Sequence, residues 1–158
     1  MEITSPINSL GMDSIEKILL IDDDPDEHYL FKAAVSRVRK DIECLFASGV
    51  VDAFTLLEGI KGNLPDLIFL DVNMPKHNGR DFLKALKQSS RFSRIPVVMY
   101  TIQNLTNDEK EELRSLGATF FLRKPGLTEL VLILRFLLGY GQSRDDLKQV
   151  EELIVKLA

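Results

Sequence analysis

The 158-residue chain has no tryptophan, one cysteine and two histidines. A single cysteine, Cys44, cannot build a disulfide framework or a multi-cysteine metal site, which points to a reducing compartment, by default the cytoplasm. Cys44 is followed by Leu45 and Phe46 in a run expected to form a buried strand, where a packed thiol is expected rather than a reactive one. His28 and His77 have no histidine or cysteine neighbour in sequence, which argues against an imidazole metal site and leaves them surface polar roles. Basic charge is not in excess: 20 Lys+Arg stand against 24 Asp+Glu, a net charge of −4. Such a balance gives no general grip on DNA or on anionic lipid, so no direct DNA or membrane binding is expected. The longest apolar run, Leu127–Leu138, is broken by Glu129 and Arg135 and falls short of the ~20 residues a membrane span requires. Met1–Ser14 lacks the basic and apolar regions of a secretory signal. Neither Gly-rich phosphate loop is present, which excludes a dinucleotide-binding Rossmann unit and a P-loop NTPase.

What is present is a repeating pattern. Apolar runs at Lys17–Asp22, Asp41–Ala47, Asp66–Asp71, Ile95–Thr101 and Ala118–Leu122 read as strands buried on both faces. Each is followed by residues at helical spacing. The first helix starts near Pro25, where Asp24-Pro25-Asp26-Glu27 supplies an N-cap, a first-turn proline and a capping-box acid; Leu30, Ala33, Ala34, Arg37 and Val38 form its stripe. The second carries Ala53, Leu56, Leu57 and Ile60 and stops by Gly62. The third runs from about Gly79 to Gln88, and Pro75 and Gly79 fit the tight turn leading into it. Thr106 to Glu109 opens a fourth that ends at Gly117, and a fifth spans Thr128–Leu138. Strand and helix alternating five times predict a doubly wound, five-stranded parallel sheet with helices on both faces, an α/β, flavodoxin-like fold. The expected organisation is a disordered segment over 1–15, a domain over 16–139 and an amphipathic helical extension over 140–158.

In such a sheet the functional crevice lies at the carboxyl ends of the strands. Asp22-Asp23-Asp24, Asp71, Thr101 and Lys124-Pro125 all fall there. An acidic turn with Asp24 spent as a cap would explain the first cluster alone. Asp71 and Lys124 at the ends of other strands are what favour a functional pocket. Carboxylates gathered in one place repel one another unless a cation joins them. Mg²⁺, a hard ion held by one or two carboxylates together with a phosphate, is the natural candidate.

With these residues placed, the chain resembles the receiver domains of two-component response regulators from about Glu16 to Gly139. The matching motifs are ILLIDDDPD (Ile18–Asp26), LIFLDVNMPKHNG (Leu67–Gly79), PVVMYT (Pro96–Thr101) and GATFFLRKP (Gly117–Pro125). The resemblance implies that Asp71 accepts a phosphoryl group from a sensor histidine kinase, a phosphotransfer protein or a small acyl phosphate. It further implies that Asp22, Asp23, Asp71 and the backbone carbonyl of Asn73 hold Mg²⁺, and that Lys124 neutralises phosphoryl oxygens. Thr101 would bond the phosphoryl group while Phe121 swings as the switch aromatic. A cis bond between Lys124 and Pro125 is also implied. Ile102 stands where the family favours a small residue, so its side chain is expected to crowd Asp71 and slow the chemistry. Phe121 replaces a frequent tyrosine, and the amides of Asn73 and Gln103 are candidates for control of phosphoryl lifetime.

The fifth helix is apolar almost all round, and such a helix needs cover on its second side. A second subunit, giving a homodimer through this face, or the C-terminal helix folding back would supply it. In receivers the fourth helix, fifth strand and fifth helix form the output surface. The residues after Gly139 are too few for a further output domain, so a stand-alone receiver that signals by protein contact is expected. Two alternatives differ in class. A haloacid-dehalogenase-like phosphohydrolase needs a second acid where Asn73 stands, and a phosphorylation-independent pseudo-receiver would not need Asp22, Asp23, Asp71 and Lys124 together.

Overall fold

The computed structural model describes residues 15–74, 76, 78–138 and 144–157. The disorder expected for the first fourteen residues, and the readings of Pro75 and His77, fall outside this set. The elements alternate as β1 (Lys17–Ile21), α1 (Pro25–Val38), β2 (Glu43–Ala47), α2 (Val50–Gly59), β3 (Leu67–Leu70), α3 (Gly79–Gln88), β4 (Val97–Thr101), α4 (Asn107–Ser115), β5 (Phe120–Arg123) and α5 (Leu127–Leu137), followed by α6 (Arg144–Leu157). The strands form one parallel sheet in the order β2-β1-β3-β4-β5. This is the flavodoxin-like arrangement that the alternation predicts. Its strand order reverses between β1 and β3, so their carboxyl ends frame a crevice.

Alternation along each strand divides the interior in two. Ile18, Leu20, Phe69, Val98 and Tyr100 face α1 and α5, whereas Leu19, Ile21, Ile68, Leu70 and Met99 face α2, α3 and α4. Because both faces are covered, β1, β3 and β4 are buried nearly throughout. β2 departs from the expectation of a strand buried on both faces. It lies at the sheet edge, with Glu43 exposed and Cys44, Leu45 and Phe46 half-buried. Burial raises the Cys44 thiol to about 11, which keeps it an unreactive packing group. Ile15, placed by the sequence in the N-terminal segment, is buried in the core.

Two helix details also differ. The buried face of α1 is Phe31, Ala34 and Val35, rotated from the Leu30–Ala33 stripe. The helix carries apolar residues on several faces, so periodicity alone did not fix its phase. α2 ends at Gly59, where the Ile60 N–H bonds the Leu57 carbonyl, before the Gly62 stop signal is reached. The capping box of Thr106 and Glu109 and the positive φ of Gly117 bracket α4 as expected. α6 packs against α5 and β5, and Val150 is fully buried in the α1/α5 core. Of the two covers expected for α5, the C-terminal helix therefore supplies one.

Candidate functional site

Parallel pairing brings the strand ends level. The Asp22 N–H donates to the Ala47 carbonyl at 3.0 Å and the Asp71 N–H to the Ile21 carbonyl at 3.0 Å, so both carboxylates leave the sheet at one rim. Asp22 is fully buried, Asp71 is 6% exposed and Asp23 is exposed. Each of the three offers an oxygen within 4.8 Å of the others. Asp22 Oδ1 accepts the Asp24 N–H at 3.0 Å, and Asp71 Oδ1 accepts the Asn73 N–H at 3.2 Å. His28, missed as a site neighbour by sequence, donates from Nε2 to the Asp22 carbonyl at 2.7 Å and stacks on Phe46.

Lys124 enters from the end of β5, its backbone N–H donating to the Thr101 carbonyl at 2.8 Å. The ammonium lies 2.6 Å from Asp22 Oδ2 and 3.4 Å from Asp71 Oδ2. Burial pushes Lys124 down, but the Asp22 bond and the charges of Asp71, Asp22 and Glu27 outweigh it and hold the ammonium above the usual lysine value. For Asp71 burial wins instead. It raises the carboxyl to about 6, against the pull of Lys124 and with the push of Asp22. The Lys124–Pro125 bond is trans, not cis as the resemblance implied; trans is the intrinsically favoured isomer, and a proline alone does not overturn that preference.

Thr101 is 3% exposed, and its Oγ1 accepts the Gln103 N–H at 3.2 Å. Phe121 is buried, with the Arg114 guanidinium of α4 5.0 Å from its ring centre. Arg114 also meets Glu111 at 3.8 Å, and Arg80 of α3 meets Glu112 of α4 at 3.3 Å. Ile102 is 68% exposed, so its side chain stands largely in solvent rather than packed into the pocket. Asn73 and Gln103 are exposed at the rim.

Glu27 is placed differently from its expected capping role. The Asp24 N–H that a capping-box acid would accept goes to Asp22 instead, and Asp24 Oδ1 caps the Asp26 N–H at 2.9 Å. Glu27 shares the inner face of α1 with Phe31, Ala34 and Val35, and its Oε2 is buried without a hydrogen-bond partner. The i, i+4, i+7, i+8 spacing of these four residues was the available signal.

The donor set suits a hard divalent cation: three carboxylates, oxygen only, with buried Asp22 Oδ2 having no partner but the Lys124 ammonium. Residues 18–135 match the response regulator receiver domain family. The chain belongs to this family. Among curated relatives, the response regulator Rre1 of Synechocystis sp. is 32% identical over 130 residues, which is 82% of this chain and 54% of that protein. The receiver described here thus spans about half of that relative. Among solved structures, the phosphorylated cyanobacterial phytochrome response regulator RcpA superposes with a TM-score of 0.69 at 26% identity, covering 80% of this chain and 96% of that one. The Mn²⁺-bound response regulator Rcp1 gives 0.68 at 26% identity, with 80% and 97% covered. Membership of the receiver family sets aside the dehalogenase-like alternative. No helix among the described residues is long and apolar enough to cross a membrane.

Proposed function

We propose that this receiver is a phosphorylation-dependent signalling switch with Asp71 as its phosphoacceptor. The observation that carries the reading is the meeting of Asp22, Asp23 and Asp71 within 4.8 Å, with Lys124 against two of them. Asp22, Asp23, Asp71 and the Asn73 backbone carbonyl are the groups that would hold Mg²⁺. Bound there, the ion offsets the gathered carboxylate charge and neutralises phosphoryl oxygens.

The chain's own residues do the rest. An Asp71 carboxylate oxygen bonds to phosphorus as the P–N bond of a phosphohistidine, or the P–O bond of an acyl phosphate, breaks. Phosphoryl transfer asks mainly for positioning and charge neutralisation, and Lys124 and the Asn73 N–H stand on the two oxygens of Asp71. Thr101 Oγ1 turns from the Gln103 N–H to the phosphoryl group. Phe121, which now lies beneath Arg114, then swings into the space that Thr101 vacates, changing the surface of α4, β5 and α5. The donor is a histidine kinase or phosphotransfer protein, and the output is a protein contact on that surface in the cytoplasm, self-association through α5 included. Catalysis is limited to accepting the phosphoryl group and slowly losing it.

The test is intact mass after incubation with Mg²⁺ and acetyl phosphate. A phosphoryl adduct on the wild-type chain that is absent from Asp71→Asn is expected. No adduct, or one that survives the substitution, overturns the reading.

A further inference from the structure

We infer that Arg114 is a positioning residue for Phe121: its guanidinium holds the aromatic ring back from the phosphorylation rim, so that α4 sets how readily the site accepts a phosphoryl group. This deepens the phosphoacceptor reading and rests on it.

The register of the sheet fixes the direction. Phe121 pairs with Met99 across β4 and β5, and Thr101 lies two residues beyond Met99 on β4. Side chains two apart on a strand share a face, so Phe121 and Thr101 stand on the same side of the sheet, with Thr101 nearer the carboxyl rim. β4 and β5 are parallel, so α4 runs back between them and its last turn, which carries Arg114, lies toward the amino end of β5. Three backbone bonds pin that turn to the sheet. The Gly117 N–H donates to the Arg114 carbonyl, the Ala118 N–H to the Leu113 carbonyl and the Thr119 N–H to the Val97 carbonyl, each at 2.9 Å. A ring that moves toward Thr101 therefore moves away from the end of α4 that anchors Arg114.

The contact is a cation over an aromatic face. The Arg114 guanidinium carbon lies 5.0 Å from the ring centre, inside the ~6 Å over which such a charge is attracted to the ring. Phenylalanine has no hydroxyl, so the ring face is the one polar feature by which Phe121 can be held. Phe121 is buried and the Arg114 side chain exposed, so the arginine caps the ring against solvent. Glu111 competes weakly for the guanidinium, since that ion pair is long, at 3.8 Å, and exposed on both sides.

Occupation of the site, by drawing Phe121 toward Thr101, gives this contact up. Removing the charge at position 114 should lower that cost and favour the occupied state.

The experiment measures binding of beryllium fluoride, a phosphoryl mimic, by calorimetry in Mg²⁺, together with the rate of adduct formation from acetyl phosphate. Arg114→Met and Arg114→Gln should both bind the mimic roughly twofold to fivefold more tightly than wild type, the factor that an exposed cation over a ring is worth. Both should also form the adduct faster, and Arg114→Lys, which keeps a charge, should stay closer to wild type. In a Phe121→Leu background, which offers no ring face, Arg114→Met should leave mimic binding unchanged, a dependence that a merely structural role in α4 would not produce. Circular dichroism and thermal melting identify a variant that misfolds, and the other then decides. Folded Met and Gln variants that bind the mimic as wild type does, or more weakly, overturn the role of Arg114 alone. An effect shared equally by Arg114→Lys, or one that persists without the ring, does the same. A wild-type chain that neither binds the mimic nor forms the adduct overturns the phosphoacceptor reading as well.

Discussion

Gly79 packs directly against the backbone of Asp71: a β-carbon on Gly79 would lie 2.6 Å from the Asp71 carbonyl oxygen and 3.2 Å from Val72 Cα. The first residue of α3 is thus built into the support of Asp71, the proposed phosphoacceptor, and the Gly79 N–H bonds the Val72 carbonyl at 3.3 Å. Gly79→Ala must push one of the two segments away, at a cost of about 1–3 kcal/mol. Urea unfolding should register that loss, and adduct formation at Asp71 should fall by more than the folded fraction accounts for. An adduct rate equal to wild type would show that α3 yields and Asp71 stays in place.

Asp71→Asn should stabilise the fold while abolishing phosphorylation. The folded-state pKa of about 6 lies above the ordinary 3.8, so native protein binds this proton more tightly than unfolded chain. Stability contributed by the protonated form is whole below pH 4 and is lost as pH rises to about 6. At pH 7 the ionised Asp71 costs roughly 1–3 kcal/mol, and asparagine removes that cost. Melting curves without divalent cation should show Asp71→Asn gaining several degrees at pH 7 and little at pH 4. An equal gain at both values would point to packing instead of charge.

Gly117 ends α4 at φ 108°, and a β-carbon there would meet Lys87 Cγ at 2.6 Å. Lys87 has little room to retreat, because its ammonium donates to the carbonyls of Ser93 and Ile95 at 3.1 and 2.7 Å. Gly117→Ala should therefore destabilise by about 1–3 kcal/mol, from the backbone strain and the displaced lysine together. Chemical denaturation measures it. Pairing it with Lys87→Ala should recover part of the loss, and no recovery would assign the whole effect to φ.

Val150→Asp should detach α6 without unfolding the sheet. The residue is fully buried against the α1/α5 core, and a carboxylate there has no partner. Hydrogen exchange in α6 should rise sharply while β1, β3 and β4 keep their protection. The uncovered α5 should then drive self-association visible in light scattering. A variant that stays monomeric with α6 unprotected would remove α5 as a self-association surface.

Much of this fold was legible because β1, β3 and β4 are central strands, and burial on both faces leaves an unbroken apolar run. β2 was legible as a strand but not as an edge, since its composition matches a central one. The pocket was legible for a similar reason: Asp22, Asp71 and Lys124 sit at ends of runs, and parallel pairing puts such ends together. What escaped depends on rotation and long-range packing. Glu27 reads equally well as a cap or as an inward-facing acid until the phase of α1 is known. The exposure of Ile102 follows from the path of the loop after β4, and the trans bond at Pro125 from surroundings that local sequence does not encode. The docking of α6 could be foreseen only as one of two covers for α5.

The absence of tryptophan has a practical consequence at this pocket. Ultraviolet emission comes from three tyrosines alone. Tyr29 is 80% exposed, while Tyr100 is sealed in the core with its ring 5.7 Å from the Lys124 ammonium. The receiver thus carries two tyrosines in contrasting surroundings, one in solvent and one in the core beside the Lys124 ammonium, so a change at that ammonium would be read by Tyr100 and not by Tyr29.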